Sequence, residues 1–247
     1  MLIINNAANF TNMPAFGGIA LAQNLLFGLR MNSFINTVNL SDKADKAVIT
    51  NNTASYSPAG MVGSNSGFLA TNFTPPSKSL TIKSVIKFKD IPVDSPVVIG
   101  VFGDLIGNSG IGLLLSTIAN NANFDYELRL YVGANNGSNL RSPRFKFAVD
   151  KKITDSETLN VWIKIDDDAD TISLKVGDSA WMSFVFSGDN LANRADGNWQ
   201  IGRLPRFDTG LSSSVIISEL LVWDKILTSA EIDQQDKLSQ RWLSTLA

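Results

Sequence analysis

The second half of the chain contains four carboxylates within five residues, at Asp166, Asp167, Asp168 and Asp170. Carboxylate oxygens are the ligands that hard cations such as Ca²⁺ prefer, and the backbone carbonyls of a turn can complete the coordination. The run lacks the turn glycine and the distal glutamate of an EF-hand loop, so a solvated hairpin tip is the alternative. We take Asp166, Asp168 and Asp170 as candidate metal ligands, and Ca²⁺ as the candidate cofactor.

A second group of side chains has the chemistry that binds sugars: an aromatic ring to stack on the sugar face, and polar groups to contact the hydroxyls. Trp181 follows a Gly-Asp-Ser turn and is the tryptophan most expected to be exposed, with a core position as the alternative. Polar loops supply the other candidates, because binding residues concentrate in loops on a rigid scaffold. The candidate carbohydrate-binding residues are Trp181, Asn135, Asn136, Arg141 and Arg144, with Arg203, Arg206 and Asp208 from a second loop.

Several kinds of catalysis are excluded. The chain contains no cysteine and no histidine, which removes thiol nucleophiles, Ser-His-Asp triads, Cys/His zinc sites and disulfides. A retaining glycosidase needs two carboxylates about 5 Å apart on either side of one glycosidic bond. Glu127 stands alone in its strand, and Glu219 and Asp224 are five residues apart, which puts them on opposite faces of a strand. We therefore expect a protein that is not an enzyme.

Strands must position these candidates. Short apolar stretches recur between Gly, Asn and Asp turns, and no amphipathic helix interrupts them before Thr228. This pattern predicts an all-β antiparallel sandwich. The strands are predicted at residues 79–89, 97–102, 110–116, 126–132, 144–149, 159–165, 171–176, 182–186, 198–203 and 215–223. The first of them is expected to be half-buried, with lysines on an exposed outer face.

The stretch from Val215 to Trp242 has the most definite pattern. A dense strand ends in an aromatic residue and an aspartate, and Thr228 with Glu231 three residues later predicts a capping box at a helix start. This stretch resembles the closing segment of the concanavalin A-like lectin/glucanase superfamily and its laminin G-like jelly rolls. The residues that carry the resemblance are Ile217, Glu219, Trp223, Asp224, Leu227, Ser229, Glu231, Leu238 and Trp242.

The resemblance covers roughly residues 80–242 and implies a jelly-roll sandwich with a short C-terminal helix. It also places Trp199, Trp223 and Trp242 in the core. Members of this superfamily serve as lectins, glycosidases, adhesion modules and virion parts, so the fold does not select a function.

The length of 247 residues suits one sandwich domain with appendages. We expect residues 31–247 to form that domain and residues 1–30 to form an N-terminal arm. A helix of two to three turns over residues 20–29 is left open, because Gly17, Gly18 and Gly28 flank it and the hydrophobic period is weak. The arm carries no charge before Arg30. It is expected either to pack on the sandwich or to anchor the protein to a neighbouring subunit, because an apolar arm is costly to leave in water.

Two functions stay open. The favoured one is a non-catalytic virion structural or surface protein of the bacteriophage tail, fibre or capsid-decorating type, which contacts other virion subunits, forms a homo-oligomer and binds cell-surface glycans. The alternative is a stand-alone carbohydrate-binding or adhesion module. The formal net charge of -2 predicts no nucleic-acid partner, and no apolar stretch predicts membrane insertion. Without a signal-peptide pattern, the expected location is a virion or an extracellular surface.

Overall fold

The computed structural model describes residues 18–32, 39–43, 47–64, 66–91, 97–104, 107–120, 123–147, 153, 157–194, 197–205 and 214–244. Within these ranges the chain forms sixteen strands, two short 3₁₀ turns and one α-helix. The strands are β1 Leu25–Arg30, β2 Ile49–Asn52, β3 Ser55–Ser57, β4 Gly60–Gly63, β5 Phe68–Thr71, β6 Leu80–Lys89, β7 Val98–Gly103, β8 Ile111–Asn120, β9 Asn123–Ala134, β10 Asn139–Arg141, β11 Arg144–Lys146, β12 Leu159–Asp166, β13 Thr171–Val176, β14 Met182–Val185, β15 Gln200–Ile201 and β16 Ser214–Trp223. The helix α1 is Ser229–Leu243, and the 3₁₀ turns are Ala22–Asn24 and Leu191–Asn193.

The strands form two eight-stranded sheets. Sheet A has the order β14-β13-β12-β6-β16-β4-β3, with β1 also paired to β16. Sheet B has the order β10-β9-β8-β7-β15-β5-β2, with β11 also paired to β9. Every pairing between these strands is antiparallel. The predicted all-β antiparallel sandwich with a short C-terminal helix is confirmed.

The main core lies between the two sheets and is built by strand alternation. In β12, Val161 and Ile163 point into this core, whereas Trp162 points to the outer face of sheet A. In sheet B, the rings of Phe102 and Trp199 stack with their centroids 4.7 Å apart. Trp199 is fully buried, as the sequence predicted.

A third layer covers the outer face of sheet A. There α1 packs against a cluster in which the rings of Trp162 and Trp223 stack at 5.9 Å, with Trp242 buried beside them. The predicted capping box is present, because Thr228 Oγ1 accepts the Glu231 N–H at 3.3 Å and Glu231 Oε2 accepts the Thr228 N–H at 2.7 Å. No helix in the described ranges is long and apolar enough to cross a membrane.

Charged side chains also lie between α1 and sheet A, and we term Arg30, Lys83, Glu219 and Asp236 the charge cluster. Arg30 Nε donates to Glu219 Oε1 at 2.7 Å, and Lys83 Nζ lies 2.6 Å from Asp236 Oδ1 and 3.7 Å from Glu219 Oε2. The side chains of Arg30 and Glu219 are fully buried, and that of Lys83 is 1% exposed. The expectation that the lysines of residues 79–89 face solvent is therefore wrong at Lys83, because α1 covers this part of β6 and supplies a carboxylate.

Residues 20–29, for which a helix was left open, do not form one. A 3₁₀ turn leads into β1, which pairs with the last part of β16, with Leu29 opposite Leu220. Gly28 weakens any helix here, and pairing with β16 satisfies the backbone groups instead. Residues 1–17 lie outside the described residues, so the anchoring role of the arm stays a prediction.

A bulge at Ser218 divides β16 into two parts. Before it, β16 pairs with β4, and after it β16 pairs with β1, so that these two strands lie end to end along one edge of β16. The Ser218 carbonyl accepts the Met31 N–H at 2.9 Å. The extra residue shifts the alternation, and Ile217 and Leu220 both face the main core while Glu219 faces α1.

Candidate functional site

An open groove runs along one edge of the sandwich, between β10 and β11 of sheet B and β13 and β14 of sheet A. It has two halves that meet at Lys146, with volumes of about 600 Å³ and about 420 Å³. The larger, basic half is lined chiefly by Arg141, Arg144, Lys146, Met182, Phe184 and Phe186. The smaller, mixed half is lined by Lys146, Glu157, Asn160, Gly177, Asp178 and Ser179 among others. Together we term them the edge groove.

The first wall of the basic half is β11, which pairs with β9. Strand alternation places Arg144 and Lys146 on one face, about 6.6 Å apart along the strand at the usual rise per residue. Phe145, between them, packs against the core and makes an edge contact with Phe147 at 5.5 Å. The short strand therefore presents two cations to the basic half, while the Phe145 ring packs on the core and also lines the mixed half.

The opposite wall is β14, the outermost strand of sheet A. Met182 and Phe184 line the groove, and Phe186 continues this apolar wall beyond the strand. Val185 does not line the groove and is 67% exposed, because neighbouring residues of a strand point to opposite faces. The groove thus has an apolar wall facing a cationic one.

Arg141 is held in place by a buried carboxylate. Its Nε and Nη2 atoms donate to the two carboxylate oxygens of Asp189, and its guanidinium lies 5.6 Å from the ring centroid of Phe186. The hydrogen bonds to Asp189 raise the pKa of Arg141. The Arg141 charge is therefore largely compensated, and this residue fixes the groove wall.

The two predicted asparagines shape the hairpin between β9 and β10. Asn135, Asn136 and Gly137 have φ values of 52°, 58° and 77°, a left-handed run that asparagine and glycine tolerate best. Asn135 Oδ1 accepts the Asn190 N–H at 2.7 Å, and the Asn136 N–H donates to the Asn193 carbonyl. These asparagines hold the hairpin against the loop that carries Asp189, and neither lines the edge groove.

Arg144 and Lys146 have less compensation. Arg144 Nε lies 3.7 Å from Glu127 Oε1, beyond normal hydrogen-bond distance, and the Arg144 side chain is 41% exposed. Glu127 is buried and accepts a hydrogen bond from Ser116 Oγ at 3.1 Å. Lys146 is exposed, and no carboxylate of the described residues forms an ion pair with its ammonium group. The basic half therefore keeps positive charge that faces solvent.

Two predicted sugar-binding residues lie elsewhere. Trp181 is half-buried against the tryptophan cluster on the outer face of sheet A, with Lys164 Nζ 4.7 Å from its ring centroid. Burial lowers the pKa of Lys164. Arg203 follows β15 and stacks over Phe68 at 4.7 Å, and strands β7 and β8 separate β15 from β9 and the groove. Arg206 and Asp208 lie outside the described residues. Among the predicted residues that the structure describes, only Arg141 and Arg144 line the edge groove, although Asn135 also donates to Asp189, at 3.4 Å.

The acidic run forms the hairpin tip between β12 and β13. Asp166 Oδ1 accepts the Asp168 N–H at 3.2 Å, and Asp170, at φ 44°, accepts the Leu191 N–H at 3.3 Å. Among the described residues, no group of three or more His, Cys, Asp or Glu side chains is arranged to hold a metal ion. Calcium binding at Asp166, Asp168 and Asp170 stays an untested prediction.

Asp167, in the same run, points inward. Its Oδ1 accepts from Arg194 Nη1 at 2.9 Å, and the two side chains are 8% and 0% exposed. Burial raises the pKa of Asp167, although the charge of Arg194 acts in the opposite direction. This carboxylate joins the hairpin tip to the loop around Arg194 and is not available to a ligand.

Sequence reasoning missed Lys146, Met182, Phe184 and Phe186. A signal was present in residues 181–186, where apolar side chains occur at five of the six positions. An edge strand normally presents polar or charged side chains to water. An apolar strand at a sheet edge is therefore typical of a surface that contacts something else.

Comparison with known proteins gives matches in structure and none in sequence. No protein-family model matches the chain, and no curated protein matches it by sequence. The botulinum neurotoxin serotype D binding domain superposes with a TM-score of 0.66 and 14% identity, covering 92% of this chain and 53% of that chain. The binding domain of botulinum neurotoxin DC, solved in complex with rat synaptotagmin II, superposes with a TM-score of 0.63 and 11% identity. This match covers 90% of this chain and 52% of that chain.

A third structure comes from work on botulinum neurotoxin type C, whose cell entry depends upon interaction with two ganglioside molecules. It gives a TM-score of 0.63 and 14% identity, covering 92% of this chain and 52% of that chain. What is shared is the fold. The chain spans about half the length of the neurotoxin domains it matches. These neighbours support a β-sandwich of the kind found in binding domains, but not the concanavalin A-like, laminin G-like or bacteriophage assignment.

Proposed function

We propose that this protein is a non-catalytic carbohydrate-binding module and that its ligand lies in the edge groove. The observation that carries the proposal is the apolar wall of Met182 and Phe184 facing Arg144 and Lys146 across an open cleft. Sugar rings pack their C–H faces on aromatic side chains, and arginine and lysine donate hydrogen bonds to the hydroxyl oxygens.

The structural neighbours add support of a general kind. They are binding domains, and one of them belongs to a neurotoxin whose cell entry depends upon interaction with gangliosides. Because the match covers about half of those chains, it does not tell which part of them contacts the ganglioside. The support therefore concerns the use of this fold for binding, whereas the groove residues carry the specific proposal.

Binding without hydrolysis agrees with the chemistry of the basic half. Its described lining contains cations and apolar groups but no carboxylate. A glycosidase needs an acid and a nucleophile or base beside the bond that is cleaved. A sugar packed on Phe184 would meet neither among these lining residues.

The proposal is tested on a glycan array, followed by calorimetric titration of the strongest ligand against two matched variants. Phe184→Ala removes an aromatic wall of the groove, whereas Val185→Ala shortens the next residue of the same strand on the opposite face. We expect Phe184→Ala to weaken binding by about tenfold or more, as expected for a lost aromatic contact, and Val185→Ala to leave it unchanged.

Two results would count against this function. Equal effects of the two substitutions on affinity would place the ligand outside the edge groove. The absence of binding on an array that carries both neutral and acidic glycans would remove carbohydrate recognition altogether.

As the setting for this module we propose a homo-oligomeric virion or extracellular surface protein. The proposal rests on residues 1–17, which carry no charged side chain and are rich in apolar ones, and the toxin neighbours lend it no support. Light scattering of the full chain and of a chain lacking residues 1–17 tests it, since β1 of sheet A must be kept. Loss of a defined oligomer on deletion would favour the assembly role, whereas a monomer unaffected by deletion would favour the stand-alone module.

A further inference from the structure

The two halves of the edge groove differ in charge. The basic half has three cationic side chains among its lining residues, Arg141, Arg144 and Lys146, and no acidic one. The mixed half has Lys146 together with Glu157 and Asp178. A ligand that lies along the whole groove therefore meets only cations among the charged side chains at one end and charges of both signs at the other.

The cations of the basic half are not equivalent. Asp189 binds Arg141 through both carboxylate oxygens, so this charge is already matched. Arg144 is 41% exposed and 3.7 Å from the buried Glu127, and Lys146 is exposed without an ion pair to the described residues. Arg144 and Lys146 also share one face of β11. They form a pair of cations about 6.6 Å apart along the strand, which suits a small anionic group placed between them.

We propose that the edge groove selects glycans that carry an acidic sugar, an inference that rests on the proposed carbohydrate-binding function. The anionic substituent, a carboxylate or a sulfate ester, contacts Arg144 and Lys146, and the ring that bears it packs on Phe184. The neutral part of the glycan extends past Lys146 into the mixed half. A charge-assisted hydrogen bond is shorter and stronger than a neutral one, and the negative charge also avoids the end with Glu157 and Asp178.

The test is calorimetric titration with three probes that share the lactose core: lactose itself, lactose sulfated at the galactose 3-position, and 3′-sialyllactose, which adds a carboxylate-bearing sugar. We expect at least one acidic probe to bind about tenfold tighter than lactose, because two charge-assisted contacts are added. Binding of the sialylated probe alone would identify the carboxylate as the recognised group. Binding of the sulfated probe alone would identify the sulfate.

Variants assign the preference to residues. In the double variant Arg144→Gln/Lys146→Gln, the affinity ratio of acidic to neutral probe should fall to about twofold or less. The affinity for the acidic probe should also decrease less with salt concentration than in the wild type. Lys89→Gln is the matched control, because Lys89 is 52% exposed on β6 and two strands, β13 and β12, lie between β6 and β14. The single change Lys146→Gln, at an exposed position, should reduce the preference for acidic probes about threefold. It also keeps the test valid if the double variant does not fold.

The outcomes separate the two proposals. If lactose and the acidic probes bind equally and Phe184→Ala weakens all of them, the acidic selectivity is overturned and the carbohydrate-binding module stands. The same conclusion follows if only neutral glycans bind on the array. If a preference for acidic probes survives in the double variant, Arg144 and Lys146 are not its source. If no glycan binds at all, both proposals fall.

Discussion

Lys83 and Lys146 carry the same ammonium group on strands of the same sandwich, and their surroundings are opposite. Lys83 lies beneath α1, 1% exposed, 2.6 Å from Asp236 and 3.7 Å from Glu219. Lys146 lies in the edge groove, exposed and without an ion pair to the described residues. In the charge cluster two cations meet two carboxylates, so the formal charges balance. In the basic half cations outnumber the carboxylates that reach them, and the surplus faces solvent.

The difference shows how one fold uses ionic groups in two ways. Removing one partner of a buried pair is strongly destabilising, because the remaining charge is left without water or a counter-charge. A charge in an open cleft has little effect on stability, since solvent screens it. Stability measurements on the charge cluster and affinity measurements on the edge groove should therefore give opposite patterns.

The largest expected effect comes from Glu219→Gln. This change keeps the shape of the side chain but leaves Arg30, which is fully buried, without a counter-charge. We expect urea unfolding to show a loss of about 3–5 kcal/mol in the free energy of unfolding. Lys146→Gln, in the open groove, should change it by less than about 0.5 kcal/mol. Similar losses in the two variants would show that the contrast between the regions does not exist.

An intermediate effect is expected from Asp189→Asn, which turns the matched Arg141 into an unmatched cation of the groove. The loss of charge-assisted hydrogen bonds should lower the free energy of unfolding by about 1–2 kcal/mol. The released guanidinium should at the same time raise the affinity for an acidic glycan, roughly threefold, which is the usual effect of one exposed charge contact. Calorimetry and urea unfolding on the same preparation check both. A drop in affinity would instead mean that Asp189 is needed to hold the groove wall.

The smallest effect concerns Glu231, at the start of the helix that covers the charge cluster. The hydrogen bond from the Thr228 N–H, with help from Lys225, lowers the pKa of Glu231 below its ordinary value of 4.5. A lowered pKa in the folded state stabilises the protein above the unfolded pKa, and this contribution is lost as the pH falls through the folded pKa. Compared with Glu231→Gln, the wild type should be more stable by a few tenths of a kcal/mol at pH 7. Urea unfolding should show this difference shrinking as the pH is lowered below 4.5, and a constant difference would contradict the assignment.

Local sequence patterns were sufficient for much of the fold. Thr228 and Glu231 form the predicted capping box, β16 lies where its dense apolar run predicted it, and Trp199, Trp223 and Trp242 are buried. The burial of the three tryptophans was implied by the superfamily resemblance, whereas the capping box and β16 depend on neighbouring residues or on the period of a single strand. They are therefore visible without knowledge of the partners.

Contacts between distant segments could not be predicted in the same way. The alternation of β6 indicates which side chains share a face, but not that a helix about 150 residues later covers Lys83, as the 2.6 Å contact with Asp236 shows. The edge groove joins strands of different sheets, so no single stretch contains it. Arg141 and Arg144 were predicted from a polar loop, whereas Phe184 belongs to an ordinary strand pattern and gained its role only from the neighbouring sheet.

The end-to-end placement of β1 and β4 along β16 has a consequence for the shape of the whole sandwich. Both strands run in the same direction beside β16. Together they occupy the place of one continuous strand, and the segment between them leaves the edge of β16 and returns to it. The segment between β1 and β4 contributes β2 and β3, which are the outermost strands of sheet B and sheet A. One segment of the chain therefore supplies the edge strands of both sheets on that side. On the other flank β14 comes from one hairpin and β10 and β11 from another, and the seam between them is where the groove opens.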